Sequence, residues 1–465
     1  MTVLRLPGCG LPPRVLSALL VLLPGHCGSR AWAEVLLVGS SAAYHSVQEA
    51  VRAARVGDTV RVEPGLYIGD VTLDKTLQLE GVGKPVIRGT ARGSVIIVTA
   101  DKCAVRGLVV EHCGGDLQME DSGILLKSSN NQIEGNDLRD ILYGIYLYRS
   151  TGNIIRGNTI TGRRELEEGE RGAGLHLWDS PDNQIEQNTI SWARDGLYIQ
   201  SSPDSTIRRN RIQNLRYGVH YMFSDRNDFE DNYFGRCVAG AAIMYSSYIN
   251  FRRNAFVHNR GFSSFGILFQ ECDFCIAEDN IIADNAIGIF MEALRKSMFR
   301  NNLIAGNDVA LQVFSSADEN TFHHNTFLQN LSPLQLIGRA TTTRWALNGH
   351  GNHWSDYSGY DLDGDGIGDR PHRIQNVFEY MEGNHPRLRL YLESPAAQAL
   401  GMAEKAFPIV RASSEIDPAP LMGPGPMPIS FEEDTRHRYP HFLLFTLSTA
   451  WLEAAAGLIW WGRRR

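Results

Sequence analysis

Apolar and polar positions alternate through the middle of this 465-residue chain in a unit that recurs at a basic spacing of 22 residues. In one copy, Leu197 and Ile199 follow Gly196 at the first and third positions, while the second and fourth positions vary freely between copies. This period of two is typical of a β-strand. The copies begin at Gly123, Gly144, Gly174, Gly196, Gly218, Gly240, Gly266 and Gly288, with a degenerate ninth copy near Ala310.

Two further apolar positions follow in each unit, eleven and sixteen residues after the Gly, as Ile207 and Ile212 show. Turns rich in Asn, Asp, Ser and Pro separate them, so each unit predicts three short strands. A fixed period of this length indicates stacked units, none of which buries its apolar face alone. The pattern therefore predicts an all-β fold, a parallel β-helix of about a dozen coils over 34–347, with loops at the longer spacings near 162–172 and 258–265.

An Asn stands fourteen residues after the Gly in most units, and identical amides at strand spacing can hydrogen-bond in a ladder. The stacked amides are expected at Asn136, Asn158, Asn188, Asn210, Asn232, Asn254, Asn280, Asn302 and Asn325.

The N-terminal 1–33 predicts a secretory signal peptide, with an apolar run over 15–23 and a small-x-small cleavage site before Glu34. Residues 47–54 predict a short amphipathic helix after Ser46 that would cap the open end of the stack. The formal net charge of −7 makes nucleic acid an unexpected partner.

Five cysteines follow the signal peptide, at Cys103, Cys113, Cys237, Cys272 and Cys275. The single C-x-x-C pair, Cys272 and Cys275, favours a local disulfide or packed thiols over a metal or redox pair.

An Asp/Gly-rich region over 348–393 follows the repeat. Asp361, Asp363, Asp365 and Asp369 stand where a calcium loop places its oxygen ligands, with Gly366 at the turn. The loop lacks the distal Glu of an EF-hand, so a structural calcium site and a solvated turn both remain open.

Beyond this region, 394–440 predicts a short helix and a Pro-rich extended tail that would order mainly against a partner. Residues 441–465 contain an apolar run over 442–461 that predicts a C-terminal transmembrane helix, with a surface helix as the alternative.

Strand parity predicts a candidate copper site on the outer surface. The second and fourth positions after the Gly point outward, which puts His176 and His220 in one column and Met222 and Met244 in the next. Imidazole and thioether are ligands for Cu(I). A protein-docking strip is the alternative, because aromatic residues and Met are enriched at interfaces. A second set that could take copper lies toward the C-terminus: Met381, His385, Met402, Met422 and Met427.

Several of these segments together resemble the NosD family. The resemblance rests on SVQEAVRAARVGDTVRVEPGLY at 46–67, the G-I-x-L coils, GNHWSDYSGYDLDGDGIGD at 351–369 and SPAAQALGMAEKAFP at 394–408. It implies a right-handed β-helix of the carbohydrate-binding and sugar-hydrolase type. It also implies a periplasmic accessory protein that helps to build the copper–sulfur centres of nitrous oxide reductase. Such a protein would have no enzymatic activity of its own. The implied partners are the reductase, a copper chaperone lipoprotein and an ABC transporter made of an ATPase and a membrane subunit.

An alternative function is the binding or modification of polysaccharide, because β-helices also carry lyases, hydrolases and epimerases. Hydrolysis needs paired carboxylates at a set separation. The outward acids Asp179, Asp204, Asp225 and Asp273 form no such pair flanked by His or Arg in the sequence. A passive scaffold is a third possibility, which predicts no tight metal binding.

Overall fold

Each coil contributes three short strands that pair in parallel with the equivalent strands of the neighbouring coils, as the repeat predicts. The computed structural model describes residues 33–338, 341–374, 394–395, 399 and 415–425. The predicted signal peptide and the apolar run over 442–461 lie outside the described residues. Across the described part of the chain, no helix has the length and apolar character needed to cross a membrane.

The first face of the solenoid is a sheet of 13 strands. These strands are Val35–Val38, Thr59–Val62, Gln78–Gly81, Ala104–Arg106, Gln132–Glu134, Ile154–Arg156, Gln184–Glu186, Thr206–Arg208, Asp228–Glu230, Asn250–Arg252, Ile276–Glu278, Met298–Arg300 and Thr321–His323.

The second and third faces belong to one sheet of 23 strands. The second face contains Leu66–Ile68, Val86–Arg88, Val109–Glu111, Asp137–Ile141, Thr159–Gly162, Thr189–Ser191, Ala255–Val257, Ile281–Ala283, Leu303–Ala305, Thr326–Leu328 and His353–Trp354. The third face contains Val71–Leu73, Ile96–Val98, Ser122–Leu126, Tyr143–Tyr148, Leu175–Trp178, Asp195–Gln200, Phe265–Asp273, Ile287–Arg295, Val309–Phe314 and Ser332–Ile337. Two long strands, Arg211–Met222 and Tyr233–Ser247, run through both faces and join them.

The predicted apolar positions fill the interior. Leu197, Ile199, Ile207 and Ile212 are fully buried in a single continuous core. The repeated Gly is required by close packing: a Cβ built on Gly218 would lie 2.4 Å from the carbonyl oxygen of Gly240 in the next coil. The Gly column thus lets the backbones of successive coils approach at one corner.

The predicted Asn ladder is present and runs from Asn136 to Asn352. Each Nδ2 donates to the Oδ1 of the next Asn at 2.8 to 3.1 Å. Because these amides are buried, the ladder satisfies polar groups that would otherwise cost stability inside the core.

The predicted N-terminal helix spans Val47–Ala53 and buries Val47, Ala50 and Val51 against the first strands. Ser46 occupies the N-cap position but makes no side-chain cap hydrogen bond. Whether the helix acts as a cap stays a prediction.

Part of the tail packs on the last coil of the β-helix, which the sequence did not predict. Ile416–Asp417 pairs antiparallel with His372–Arg373. Glu415 Oε2 accepts a hydrogen bond of 2.7 Å from Trp345 Nε1, and Asp417 Oδ2 accepts one of 2.9 Å from Trp354 Nε1. Residues 415–425 therefore pack on the chain itself, and ordering of the tail against a partner stays a prediction.

Candidate functional site

The third face carries the residues that strand parity placed in two outward columns, and the register agrees with that placement. His176 pairs with Tyr198, and Tyr198 pairs with His220. In the neighbouring column the Cα partners of Met222 are Gln200 and Met244. The predicted columns are thus present.

His176 lies beneath a group of aromatic side chains and is only 5% exposed. Its ring stacks on Tyr146 with centroids 4.5 Å apart and meets the edge of Tyr198 at 4.6 Å. Neither ring nitrogen has a hydrogen-bond partner among the described residues, and Glu120 Oε1 is 3.9 Å from Nδ1. Burial lowers the pKa of His176 to about 4, so the imidazole is neutral.

His220 is held by a buried acid and an arginine. Its Nδ1 lies 3.1 Å from Asp195 Oδ2, and Arg216 donates two hydrogen bonds to the same carboxylate, at 2.9 and 2.6 Å. Burial raises the pKa of Asp195, but hydrogen bonds from His220 and Arg216 outweigh it and bring the pKa below its ordinary value. Arg216 Nη2 also lies 3.2 Å from this Nδ1. In the tautomer in which Nδ1 donates to Asp195, the lone pair of His220 is on Nε2, the arrangement common for metal-binding imidazoles.

These side chains surround a pocket of about 310 Å³. Its lining is Glu120, Tyr143, Arg171, Gly172, Ala173, His176, Trp178, Arg194, Asp195, Tyr198, Arg216 and His220. Burial raises the pKa of Tyr143 to about 12 and also raises that of Tyr198. At neutral pH both phenols are therefore protonated donors.

Sequence reasoning missed the acids and arginines of this pocket. The outward turn acids named above do not include Asp195, which meets Arg216 because the two residues lie on adjacent coils, 21 residues apart. The positions of both residues in the repeat could have shown the contact. Asp195 directly precedes the Gly of one unit and Arg216 stands two residues before the Gly of the next, so the two side chains lie near each other on adjacent coils.

The two histidines of the predicted copper set cannot share one ion as they stand. The Tyr198 ring lies between them, 4.6 Å from His176 and 4.8 Å from His220 by ring centroids. Two coils of spacing separate the histidines by about 9–10 Å. His220, Met222 and Met244 lie on adjacent strands, so this smaller set remains a candidate.

Of the alternative copper residues, the structure describes Met422, which is 39% exposed and lies in the tail segment on the last coil. Met381, His385, Met402 and Met427 lie outside the described residues.

A histidine group that the sequence analysis overlooked lies at the last coil. His323 Nδ1 is 2.9 Å from His324 Nδ1, and the His324 ring stacks on His350 with centroids 5.1 Å apart. Burial lowers the pKa of both His323 and His324, which keeps these imidazoles neutral.

Three acids of the predicted calcium loop come together. Carboxylate oxygens of Asp361, Asp363 and Asp365 lie within 4.8 Å of one another, and among the described His, Cys, Asp and Glu this is the group with metal-ligand spacing. Asp369 is outside this group and accepts a hydrogen bond of 2.7 Å from the backbone N–H of Leu362. Asp361 accepts from the N–H groups of Gly364 and Gly366, as in an ordinary Asp/Gly turn. The calcium site stays a prediction.

All five cysteines in the described part of the chain are buried free thiols, which agrees with the packed-thiol alternative. Burial raises the pKa of Cys237 to about 12 and that of Cys113 to about 11. A hydrogen bond with Cys272, together with burial, raises the pKa of Cys275. These shifts therefore keep the thiols of Cys113, Cys237 and Cys275 protonated in the metal-free protein.

Comparison with known proteins gives the family. A family model described as "Periplasmic copper-binding protein (NosD)" matches residues 162–359, and a right-handed β-helix model matches 86–190. A Pseudomonas aeruginosa protein named "Probable ABC transporter binding protein NosD" is 36% identical over 374 residues, covering 77% of this chain and 86% of that protein. The chain belongs to the NosD family. A Stutzerimonas stutzeri NosD of the same description is 33% identical and covers 78% of this chain and 86% of its own length.

The resemblance seen in the sequence is therefore confirmed, and the family description agrees with the predicted periplasmic location and with copper as a ligand. The relatives are named as binding proteins and not as enzymes.

Solved structures confirm the fold. The A-module of an Azotobacter vinelandii mannuronan C-5 epimerase superposes with a TM-score of 0.54 at 15% identity, covering 65% of this chain and 94% of that chain. A Yersinia enterocolitica family 28 exopolygalacturonase gives a TM-score of 0.50 at 11% identity, covering 68% of this chain and 78% of its own. At this identity the similarity establishes a parallel β-helix and nothing about activity.

Proposed function

We propose that this protein is an exported maturation factor for nitrous oxide reductase that assists assembly of its copper–sulfur centres without catalysing a reaction of its own. The observation that carries the proposal is membership of a family described as periplasmic and copper-binding. The relatives' name supports an ABC transporter, with its ATPase and membrane subunit, as a partner. A copper chaperone lipoprotein would supply the metal, and the reductase would receive it.

Within this proposal, copper binds at the edge of the third face through His220, Met222 and Met244. His220 and Met222 are two residues apart on one strand and so project from the same face. Met244 is the Cα partner of Met222 on the next strand, at a spacing of ~4.8 Å. Two thioethers and one imidazole form a soft ligand set suited to Cu(I). Both methionines are half-buried, so an incoming ion can reach them.

A Cu(I) titration under reducing conditions, with bathocuproine as competitor, tests this placement. Replacing Met222 and Met244 together by Leu preserves side-chain size and removes both sulfurs, so affinity should fall by about tenfold or more. Met298→Leu is the matched control, because Met298 is also half-buried but lies on the first face. Unchanged affinity in the double variant, combined with loss in a Met402→Leu/Met427→Leu variant, would move the site to the tail.

The maturation role is tested in cells. A strain lacking this protein should make nitrous oxide reductase that is deficient in copper, measured as metal per purified reductase. Fully loaded reductase from the deletion strain would end the proposal. Purification of the tagged protein should also recover the transporter's membrane subunit.

A further inference from the structure

The pocket around His176 has features that copper binding does not explain. Its floor is a neutral imidazole with both nitrogens buried and without partners among the described residues. Buried polar groups in folded proteins are nearly always hydrogen-bonded, so two unpartnered ring nitrogens at the floor of a pocket are consistent with a ligand that hydrogen-bonds there. A movement of about 1 Å would bring Glu120 into hydrogen-bond range of Nδ1.

The pocket also carries unneutralised positive charge. Its lining holds three guanidinium groups, on Arg171, Arg194 and Arg216, against two carboxylates, on Glu120 and Asp195. Arg216 pairs with Asp195, whereas Arg194 makes no ion pair with any residue that the structure describes. Arg171 donates to the backbone carbonyls of Leu166 and Arg164 and keeps its charge. Among the residues that line the pocket, one positive charge is left in excess, on Arg194, although the Glu168 carboxylate outside the lining also acts on Arg216.

The remaining lining restricts what that ligand can be. Glu120 and Asp195 would repel a small anion that presents oxygen acceptors on every side, such as phosphate, but Glu120 can accept hydrogen bonds from hydroxyl groups. Tyr143, Trp178 and Tyr198 provide aromatic surface at the walls. The ligand should therefore carry one anionic end, several hydroxyl donors and a flat apolar face.

We propose that this pocket binds a sugar acid, a hexuronate ring whose carboxylate pairs with Arg194 and whose hydroxyl groups contact Glu120. A carboxylate and a guanidinium match in geometry and can form two parallel hydrogen bonds. The volume of about 310 Å³ is at the lower end for ligand pockets, which suits one ring.

A second cavity extends the site. It measures about 530 Å³ and shares Arg171 with the first pocket. Trp192, Arg236, Glu167 and Glu168 also line it. His258 and Arg260 are in the lining too, and both pair with Asp284. The two cavities meet at the inserted loop that contains the short 3-10 helix Glu168–Glu170. The charges of this cavity are mixed, so it has room for a neighbouring sugar unit but shows no preference for an acidic one.

Binding of D-galacturonate, D-glucuronate and D-mannuronate to the purified protein, measured by calorimetry or ligand-observed NMR against galactose, glucose and mannose, tests the proposal. At least one uronate should bind about tenfold or more tightly than its neutral counterpart. Arg194→Met should abolish that preference and leave neutral-sugar binding unchanged. Arg226→Met is the matched control, because Arg226 is exposed and pairs with Asp204 on a turn outside the pocket.

A His176→Phe variant, which keeps the aromatic stack, should also weaken uronate binding; its melting curve shows whether it folds. Lack of binding by all three uronates, or equal binding of uronate and neutral sugar, overturns the proposal. Equal binding by inorganic phosphate would show a simple anion site and overturns it too. Cu(I) affinity should be the same in Arg194→Met and in the unaltered protein. A negative result for uronate binding therefore leaves the copper proposal standing, and a negative result for copper binding leaves the uronate proposal standing.

Discussion

The side chain of Asn352 ends the Asn ladder on the carboxylate of Asp417. The backbone N–H and Nδ2 of Asn352 both donate to Asp417 Oδ2, at 2.8 and 3.2 Å, across a separation of 65 residues. Asp417 is fully buried and also accepts from Trp354 Nε1 and the backbone N–H of Ala419. A tail residue thereby satisfies the polar groups at the end of the stack.

Replacing Asp417 by Ala should lower the free energy of unfolding by about 2–4 kcal/mol, because it leaves buried donors of Asn352 and Trp354 without an acceptor. Asp417→Asn keeps one acceptor oxygen and should cost less. Chemical denaturation of the exported chain measures both. The control is Asp74→Ala, at an exposed position. If the Ala variant matches this control, the tail contact does not stabilise the fold.

Stability should depend on pH through His176. Its pKa is about 4 in the folded chain against 6.5 ordinarily, because burial disfavours the cation. The unfolded chain therefore binds more protons between pH 4 and pH 6.5, so stability is lost as the pH falls through this window. The loss should reach ~2 kcal/mol by pH 5.

His176→Phe should remove this component, so that unfolding free energies at pH 7 and pH 5 differ less than in the unaltered protein. The exposed His112 gives the control, His112→Phe, whose pH dependence should remain. An undiminished pH dependence in His176→Phe would mean that another group is responsible.

The Gly column should not tolerate even one methyl group. Gly218→Ala would place its Cβ 2.4 Å from the carbonyl oxygen of Gly240, and backbone atoms must shift to relieve this clash. We expect a loss of roughly 1–3 kcal/mol in denaturation experiments. Gly169→Ala, where a Cβ meets nothing within 4 Å, should be neutral. Similar stabilities for the two variants would show that the coils can separate without cost.

Calcium binding to the Asp loop has a direct thermal test. If Asp361, Asp363 and Asp365 hold an ion, Asp363→Ala with Asp365→Ala should lower Tm when calcium is present and have little effect in chelator. Differential scanning calorimetry in both conditions measures this. The same decrease in chelator would identify the loop as an ordinary hydrogen-bonded turn.

The sequence by itself determined the fold, the register and the family. Because the pattern repeats every 22 residues, the sequence alone shows that Ile207 is in the interior, that Gly218 lies where successive coils approach and that Asn232 belongs to the Asn ladder. The period of two within each strand predicts that His220 and Met222 point outward. A repeating unit makes its neighbours predictable, since each coil packs on copies of itself.

Only the tertiary structure decided what surrounds those columns. Asp195 and Arg216 meet between adjacent coils, and Asp417 reaches Asn352 from the far tail, although no short motif links either pair. His176 was predicted to point outward, and it does, yet Tyr146 and Tyr198 cover it and make it neutral. Burial, pairing and pKa depend on side chains from several coils together, and a pattern read along one strand does not contain them.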